Sequence, residues 1–132
     1  MAALSAPIGS DSEELWSLIE ASFEGHRKTG DNDAQAALNR IAAKCLGLHR
    51  VRAFDRTNCS VRLEVLSLDQ LKALRRYHAR SNPLQVFEPI VLLEWRRERW
   101  VIEGNSRVNK WTADADQQPR RAIVITPLDG AV

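Results

Sequence analysis

Apolar residues recur at helical spacing near the start of the chain and predict an amphipathic helix that begins at Ser12. The positions in this stripe are Leu15, Trp16, Ile19 and Phe23. Ser10 or Ser12 is expected to cap the helix, acidic residues follow in its first turn, and Gly25 favours its end. The first predicted element is therefore a helix that buries one face.

A second stripe with the same spacing predicts a helix over residues 34–46. Asp33 precedes it as a candidate cap, and Gly47 follows it as a candidate stop. The apolar positions of this stripe are Ala37, Leu38, Ile41 and Cys45. Two amphipathic helices in succession are thus expected to open the fold.

The pattern then changes from helical spacing to alternation. Residues 61–65 alternate apolar and polar side chains, which predicts a half-buried strand, and a weaker strand is expected near residues 51–54. Ser67 and Gln70 have the spacing of a capping box. A helix is predicted to open there and to run through Tyr77.

Two apolar runs on either side of a charged tetrapeptide predict a β-hairpin. Its strands are residues 89–95 and 100–103, and residues 96–99 form the turn. A helix over residues 105–113 and a last strand at residues 122–125 complete the order. This order predicts an α+β fold, a small mixed β-sheet with flanking helices, preceded by two N-terminal helices.

The strand that ends before Gly104 gives way at once to a helix, which is the most informative point in the sequence. The first backbone N–H groups of such a helix have no partner within it, and with the helix dipole they favour an anion such as phosphate. Gly104, Asn105, Ser106 and Arg107 are the predicted phosphate-binding residues, with Lys110 on the same helix face as Arg107. The alternative is that Gly104 only permits a tight turn, while Arg107 pairs with a surface carboxylate.

Composition narrows the class of protein. The 132 residues are 44% hydrophobic and 27% charged with a formal net charge of +2, which is typical of a globular domain and argues against general nucleic-acid coating. No apolar run reaches the roughly 20 residues of a membrane span, and the first residues lack the pattern of a secretion signal. A cytoplasmic protein with no membrane partner is expected.

The cysteines and histidines do not form a metal-binding pattern. Cys45 lies on an apolar helix face and is expected to be buried and reduced, while Cys59 lies in a polar turn that leaves room for exposure. The histidines His26, His49 and His78 are widely spaced. No metal site is therefore predicted.

Several motifs, taken in order, resemble the ParB/sulfiredoxin-like domain superfamily. They are a strand and helix start over residues 63–71, a Glu-Pro-Ile-Val run at residues 88–91, and a strand, turn and helix over residues 100–111. The last of these contains a Gly-x-x-Arg turn from Gly104 to Arg107. A single Gly-x-x-Arg carries little weight, so the resemblance depends on the order and spacing of the whole set.

The resemblance covers roughly residues 60–127 and implies a nucleotide phosphate site at the Gly-x-x-Arg turn. ParB proteins of this superfamily bind CTP, sulfiredoxins use ATP and a related free-serine kinase uses ADP, so the implied cofactors are ATP, ADP or CTP, with Mg²⁺. Asn105 departs from the pattern, because sulfiredoxins have cysteine there and many ParB proteins have glutamate. The departure argues against sulfinic-acid repair and weakens the case for a Mg²⁺ ligand at this position.

The leading hypothesis is a nucleotide- or phosphate-binding protein with phosphotransferase, NTPase or phosphodiesterase activity left open. Residues 1–11 are expected to be a flexible lead-in, residues 12–59 a helical extension, and residues 60–132 the ParB/sulfiredoxin-like domain. Glu103 and Glu88 stand at strand ends and are the candidate acid–base residues, although carboxylates at such positions are usually solvated.

Two other classes of function stay open. One is a non-catalytic protein-interaction module of bacterial plasmid or phage origin, in which the Trp16 and Phe23 stripe docks a partner or forms a homodimer. The other is sequence-independent DNA binding or nicking through the Arg-rich hairpin at residues 96–99. If this hairpin and residues 120–121 lie on one face with Arg107, they would form a basic patch for a polyphosphate or a nucleic-acid backbone.

Three tryptophans border these elements. Trp95 and Trp100 flank the hairpin turn, where cross-strand packing is their expected role, and Trp111 lies on the helix after Gly104. Each is also a candidate surface on which a nucleobase stacks.

Overall fold

The computed structural model describes residues 11–46, 56–76 and 89–128, and these contain four helices and five strands. The helices are α1 (Ser12–Glu24), α2 (Ala34–Leu46), α3 (Leu68–Lys72) and α4 (Asn105–Ala113). The strands are β1 (Cys59–Leu66), β2 (Arg75–Arg76), β3 (Ile90–Trp95), β4 (Glu98–Glu103) and β5 (Arg120–Pro127).

The five strands form one mixed sheet in the order β1-β5-β3-β4-β2. Strand β5 runs antiparallel to β1 and parallel to β3, and β4 runs antiparallel to β3 and parallel to β2. Both kinds of pairing occur, and two helices precede the sheet. The predicted α+β class with a small mixed sheet is confirmed.

Helices α1 and α2 cover one face of the sheet through the two stripes that their spacing predicts. Trp16 and Phe23 are 3% and 0% exposed and pack in a core that includes Val91, Leu93 and Ile123. The expectation that this stripe is a docking surface is wrong, because burying these side chains against the sheet is what holds α1 in place. A protein partner or a homodimer would need a different surface.

Helices α3 and α4 cover only part of the opposite face. Leu71 and Val108 pack there against Leu92 and Val124 in a second core. The rest of this face carries a network of ion pairs that joins Arg62, Glu64, Glu94 and Arg99, with nitrogen–oxygen distances of 2.5 to 3.6 Å. The sheet is therefore apolar beneath its helices and charged where they end.

Helix starts are fixed by side chains for α1, α2 and α3. Asp11 caps α1 by accepting the N–H of Glu13 at 2.9 Å, so the predicted caps Ser10 and Ser12 are wrong. Asp33 accepts the N–H of Ala36 at 2.9 Å at the start of α2, as predicted. The capping box of Ser67 and Gln70 at α3 is also confirmed. A short polar side chain one residue before a helix satisfies donors that the helix itself leaves unpaired.

The helix after Ser67 is shorter than predicted. It ends at Lys72, and β2 then pairs Arg75 with Trp100 and Arg76 with Val101. Pairing with the edge of β4 overrides the local helical pattern, because strand pairing depends on long-range contacts. The predicted continuation through Tyr77 enters residues 77–88, which lie outside the described residues. Three other predictions also fall outside them: residues 1–10 of the lead-in predicted over residues 1–11, the weak strand near residues 51–54, and the helix stop at Gly47.

The predicted hairpin is confirmed, but its turn is only Arg96 and Arg97, with φ angles of 49° and 69°, because Glu98 and Arg99 already pair with β3. Positive φ at both turn residues matches the right-handed twist of the strands. Glu98 lies opposite Trp95 and Leu93 lies opposite Trp100, so the two tryptophans are diagonal neighbours rather than a directly opposed pair.

Both cysteines are buried, and they do not form a disulfide with each other. Cys45 is 6% exposed on α2, as predicted. Cys59 is 5% exposed because it begins β1 rather than lying in a turn, so the exposure that its polar neighbours suggested is wrong.

We expect the Cys45 thiol to resist alkylation in the folded protein. Burial raises its pKa to about 12, so the reactive thiolate is a minor species at neutral pH. Iodoacetamide labelling at about pH 8, followed by mass spectrometry of the peptide that contains Cys45, should show little modification until urea unfolds the protein. Rapid native labelling of Cys45 would contradict this placement of α2.

Candidate functional site

The candidate site lies where β4 ends and α4 begins. Leu92 pairs with Val101 and Val91 pairs with Glu103, so Ile102 is an extra residue on β4 and forms a β-bulge. Bulges redirect the side chains beside them. The Glu103 side chain lies beside His26, which follows α1.

Gly104 makes the turn with φ +102° and ψ 18°. A Cβ atom at this position would lie 2.6 Å from Ile90 Cγ2 and 3.0 Å from Arg107 Nη2. The guanidinium of Arg107 therefore folds back over the glycine, in space that a side chain would occupy. Both the backbone angle and the crowding require glycine here.

Glu103 has an arginine and a histidine as neighbours at this turn. Its Oε2 atom accepts a hydrogen bond from Arg107 Nη2 at 2.6 Å, and its Oε1 atom lies 3.6 Å from His26 Nε2. The side chain of Glu103 is 2% exposed, against 22% for Arg107 and 29% for His26. A buried carboxylate thus lies between an arginine and a histidine that both reach solvent.

The first turn of α4 has donors without a partner. Among the described residues, the backbone N–H groups of Asn105 and Ser106 make no hydrogen bond, and the first bond of the turn runs from the Val108 N–H to the Gly104 carbonyl at 3.0 Å. No side chain caps α4, in contrast to the other three helices of the described part of the chain. Gly104 and Ser106 are each partly exposed, so solvent reaches this turn.

Two buried polar side chains near this end of the sheet have unsatisfied oxygen atoms. Asn105 is 3% exposed and donates from Nδ2 to the Val101 carbonyl at 2.8 Å, but its Oδ1 has no partner. Ser22, on the last turn of α1, is 3% exposed and its Oγ also lacks a partner. An unsatisfied buried polar group costs about 1–3 kcal/mol, and such groups are uncommon in folded proteins.

Two other predicted site residues are not part of this arrangement. The side chain of Lys110 is 75% exposed and pairs with Asp114 at 3.2 Å, toward the end of α4. Glu88 lies outside the described residues.

The hairpin arginines Arg96 and Arg97 do not form a basic patch with Arg107. Arg96 and Arg97 lie in the hairpin turn, at the end of β4 opposite to Glu103 and Arg107. Arg120 lies over the Trp111 ring, 4.2 Å from its centroid, which also covers one of the candidate stacking faces. The length of β4 therefore separates the hairpin arginines from Arg107.

An aspartate neutralises the charge of Arg120. Arg120 pairs with Asp116 at 2.5 Å, and Asp116 also accepts the Gln118 N–H at 2.9 Å. This backbone hydrogen bond, together with Arg120, lowers the pKa of Asp116. The Asp116 carboxylate therefore stays charged and pairs with Arg120.

Sequence reasoning missed His26. It follows α1 by two residues, and no motif links it to Glu103, which is 77 positions later in the chain. In the part of the chain that the structure describes, no group of three or more His, Cys, Asp or Glu side chains is arranged to hold a metal ion. No described helix is long and apolar enough to cross a membrane.

Comparison with known proteins returned no significant match to a protein-family model, a curated protein or a solved structure. The resemblance to the ParB/sulfiredoxin-like superfamily therefore stays a prediction, and function must be argued from the site itself.

Proposed function

We propose that the protein binds a phosphate-bearing ligand at the start of α4. The observation that carries the proposal is the uncapped first turn, where the N–H groups of Asn105 and Ser106 have no partner among the described residues. Such donors, at the positive end of a helix dipole, favour a negatively charged group. The partial exposure of Gly104 and Ser106 gives a ligand access to them.

Arg107 adds a charged donor beside the same turn. Its guanidinium lies over Gly104, and a guanidinium has five N–H donors in a planar fork that suits two phosphate oxygens. Glu103 holds one end of this fork and so fixes its position before a ligand arrives. A fixed donor loses less side-chain entropy on binding than a mobile one.

Nucleotides are the ligand class we propose, following the resemblance of the Gly-x-x-Arg turn. The backbone amides and Arg107 would hold the phosphates of ATP, ADP or CTP. Glu103 is the described carboxylate nearest this turn, and Arg107 already occupies one of its oxygens. Any Mg²⁺ would therefore arrive with the nucleotide rather than on a dedicated protein site.

The role of Glu103 in this proposal is to position Arg107 rather than to transfer a proton. One of its oxygens accepts from Arg107, the other faces His26, and only 2% of the side chain is exposed. Binding is therefore the proposed function, and the phosphotransferase, NTPase and phosphodiesterase activities have no described residue that favours one over another. The interaction-module hypothesis loses the Trp16 and Phe23 stripe as a docking surface, because both side chains are buried. The DNA-binding hypothesis keeps the exposed hairpin arginines Arg96 and Arg97, but these lie at the other end of β4 from Arg107.

We expect at least one nucleotide among ATP, ADP, CTP and GTP to raise the melting temperature, with or without Mg²⁺. Ligand at 100 times its Kd stabilises the folded state by about 2.7 kcal/mol, which amounts to several degrees for a domain of this size. Thermal-shift measurements on Arg107→Lys should show the stabilisation reduced, because lysine keeps the charge but lacks the fork.

Arg97→Ala is the matched control, since Arg97 is an exposed arginine at the other end of β4. It should keep the full stabilisation by nucleotide. Absence of any shift in the wild type, or equal loss in both variants, would argue against a phosphate site at α4.

A further inference from the structure

Strand β1 forms one edge of the sheet. The strand order places β5 on one side of β1, and no described strand pairs with its other side. The strand is eight residues long and contains no proline to interrupt pairing. The N–H and C=O groups along such an edge are a template for another strand, so β1 is the place in the described structure where the sheet can be extended.

The register with β5 shows which backbone groups of β1 point toward this edge. The Leu128 N–H donates to the Asn58 carbonyl at 2.8 Å, and these two residues continue the β1–β5 register by one pair. Hydrogen-bonded pairs recur at every second residue of an antiparallel ladder, so the even-numbered residues of β1 bond to β5. The N–H and C=O groups of Val61, Leu63 and Val65 therefore point away from β5.

The side chains of β1 are self-complementary about Leu63. Val61 and Leu63 pack against the core beneath α1 and α2, and Val65 follows on the same face. Val65 is 55% exposed, more than any other large apolar side chain of the described residues. On the opposite face, Arg62 and Glu64 lie on either side of Leu63, and their side chains are 43% and 25% exposed. The centre of this edge thus has one cation and one anion at equal distances along the strand.

Two copies of β1 that pair antiparallel about Leu63 place Arg62 of each copy opposite Glu64 of the other. Shifting the centre to residue 62 or 64 would oppose two arginines or two glutamates, and like charges directly opposite each other are unfavourable. Pairing about Leu63 also places Val61 opposite Val65, so the outward N–H and C=O groups meet. The charged residues then lie at the non-hydrogen-bonded positions, where opposed side chains are closest.

We infer that a second copy of this chain binds at β1, antiparallel and centred on Leu63, so that the two sheets continue into each other across a twofold axis. The interface uses the same residues of both copies. It is small, because pairing over residues 61–65 involves far fewer residues than a standard interface, and its Kd is expected to be on the order of 100 µM. The dimer requires nothing of the turn at Gly104 and is independent of the proposed function.

The test is an amide NMR dilution series of the full chain from about 1 mM to about 20 µM, with sedimentation equilibrium over the same range to measure the Kd. Amide shifts that depend on concentration should centre on residues 61–65. The amides of Val61, Leu63 and Val65 should exchange with solvent more slowly as the concentration rises, because their N–H groups become paired. A chain that is monomeric at about 1 mM, or amides that are equally protected at every concentration, would overturn the inference.

Charge variants test the register of the dimer. Arg62→Glu should weaken the dimer by about tenfold or more, because it opposes like charges at two places in the interface. The double variant with Arg62→Glu and Glu64→Arg restores unlike pairs and should regain the affinity. Arg97→Glu makes the same change in net charge at the exposed hairpin turn, and its Kd should stay within about twofold of the wild type.

Equal weakening by Arg62→Glu and Arg97→Glu, or a double variant that folds but does not dimerise, would overturn pairing about Leu63. The dilution series of the wild type decides the inference even where a variant folds poorly. Concentration-dependent shifts that centre on another element, such as α2 or the hairpin, would show a different interface and contradict a dimer through β1.

Discussion

Replacing Gly104 with alanine is expected to lower the free energy of unfolding by about 3 kcal/mol. A side chain at φ +102° costs about 1–2 kcal/mol of backbone strain. The new Cβ would also lie 2.6 Å from Ile90 Cγ2, and overpacking of this kind costs about 1–3 kcal/mol. Ile90 is fully buried in the second core, so it has little room to move.

Gly30→Ala is the matched control for this substitution. Gly30 has nearly the same backbone angle, φ +99°, but nothing lies within 4 Å of the Cβ position. Urea denaturation should show a loss of about 1 kcal/mol for Gly30→Ala, and the difference between the two variants measures the crowding at the site. Equal losses would contradict the close approach of Ile90 and Arg107 to Gly104.

Removal of the Glu103 carboxylate is the second substitution with a large expected effect. Glu103→Ala should destabilise the fold by about 2–3 kcal/mol, because it leaves Arg107 without its buried partner and creates a cavity beneath α1. This expected loss of stability is smaller than for a fully buried ion pair, because 22% of the Arg107 side chain is exposed to solvent. Glu103→Gln keeps the volume and an acceptor oxygen, so it should cost less.

The Lys110–Asp114 pair provides the control for this effect within the same helix. It has the same four-residue spacing as Glu103–Arg107, but its side chains are 75% and 57% exposed. Asp114→Ala should change the free energy of unfolding by no more than about 0.5 kcal/mol. If chemical denaturation gave Glu103→Ala and Asp114→Ala equal effects, Glu103 would not be the buried anchor of Arg107.

Much of the fold follows from local pattern. Each of these elements can be recognised from the spacing of apolar residues within its own segment. They are helices α1 and α2, strand β1 with its alternation, and the two hairpin strands on either side of Arg96 and Arg97. The early end of α3 and the strand β2 did not follow, because β2 exists only through pairing with β4. The bulge at Ile102 has the same origin, since register is a property of two strands together.

The site was predictable only in part. Gly104 followed by Arg107 placed a strand-to-helix turn correctly, and the uncapped start of α4 agrees with the absence of a Ser, Thr, Asp or Asn before Asn105. The partners of these residues were not predictable. The expected alternative of an ion pair for Arg107 was correct, but the carboxylate is buried Glu103 rather than a surface residue. His26 reaches it only through tertiary packing of α1.

The most direct test of the proposed function is a backbone amide NMR titration with inorganic pyrophosphate, the group that the proposed nucleotides share. Saturable shifts centred on the amides of Asn105 and Ser106, and weakened by Arg107→Lys, are the predicted result. Shifts that instead centre on the hairpin at Arg96 and Arg97, or a folded protein whose α4 amides do not respond, would contradict phosphate binding at this helix start.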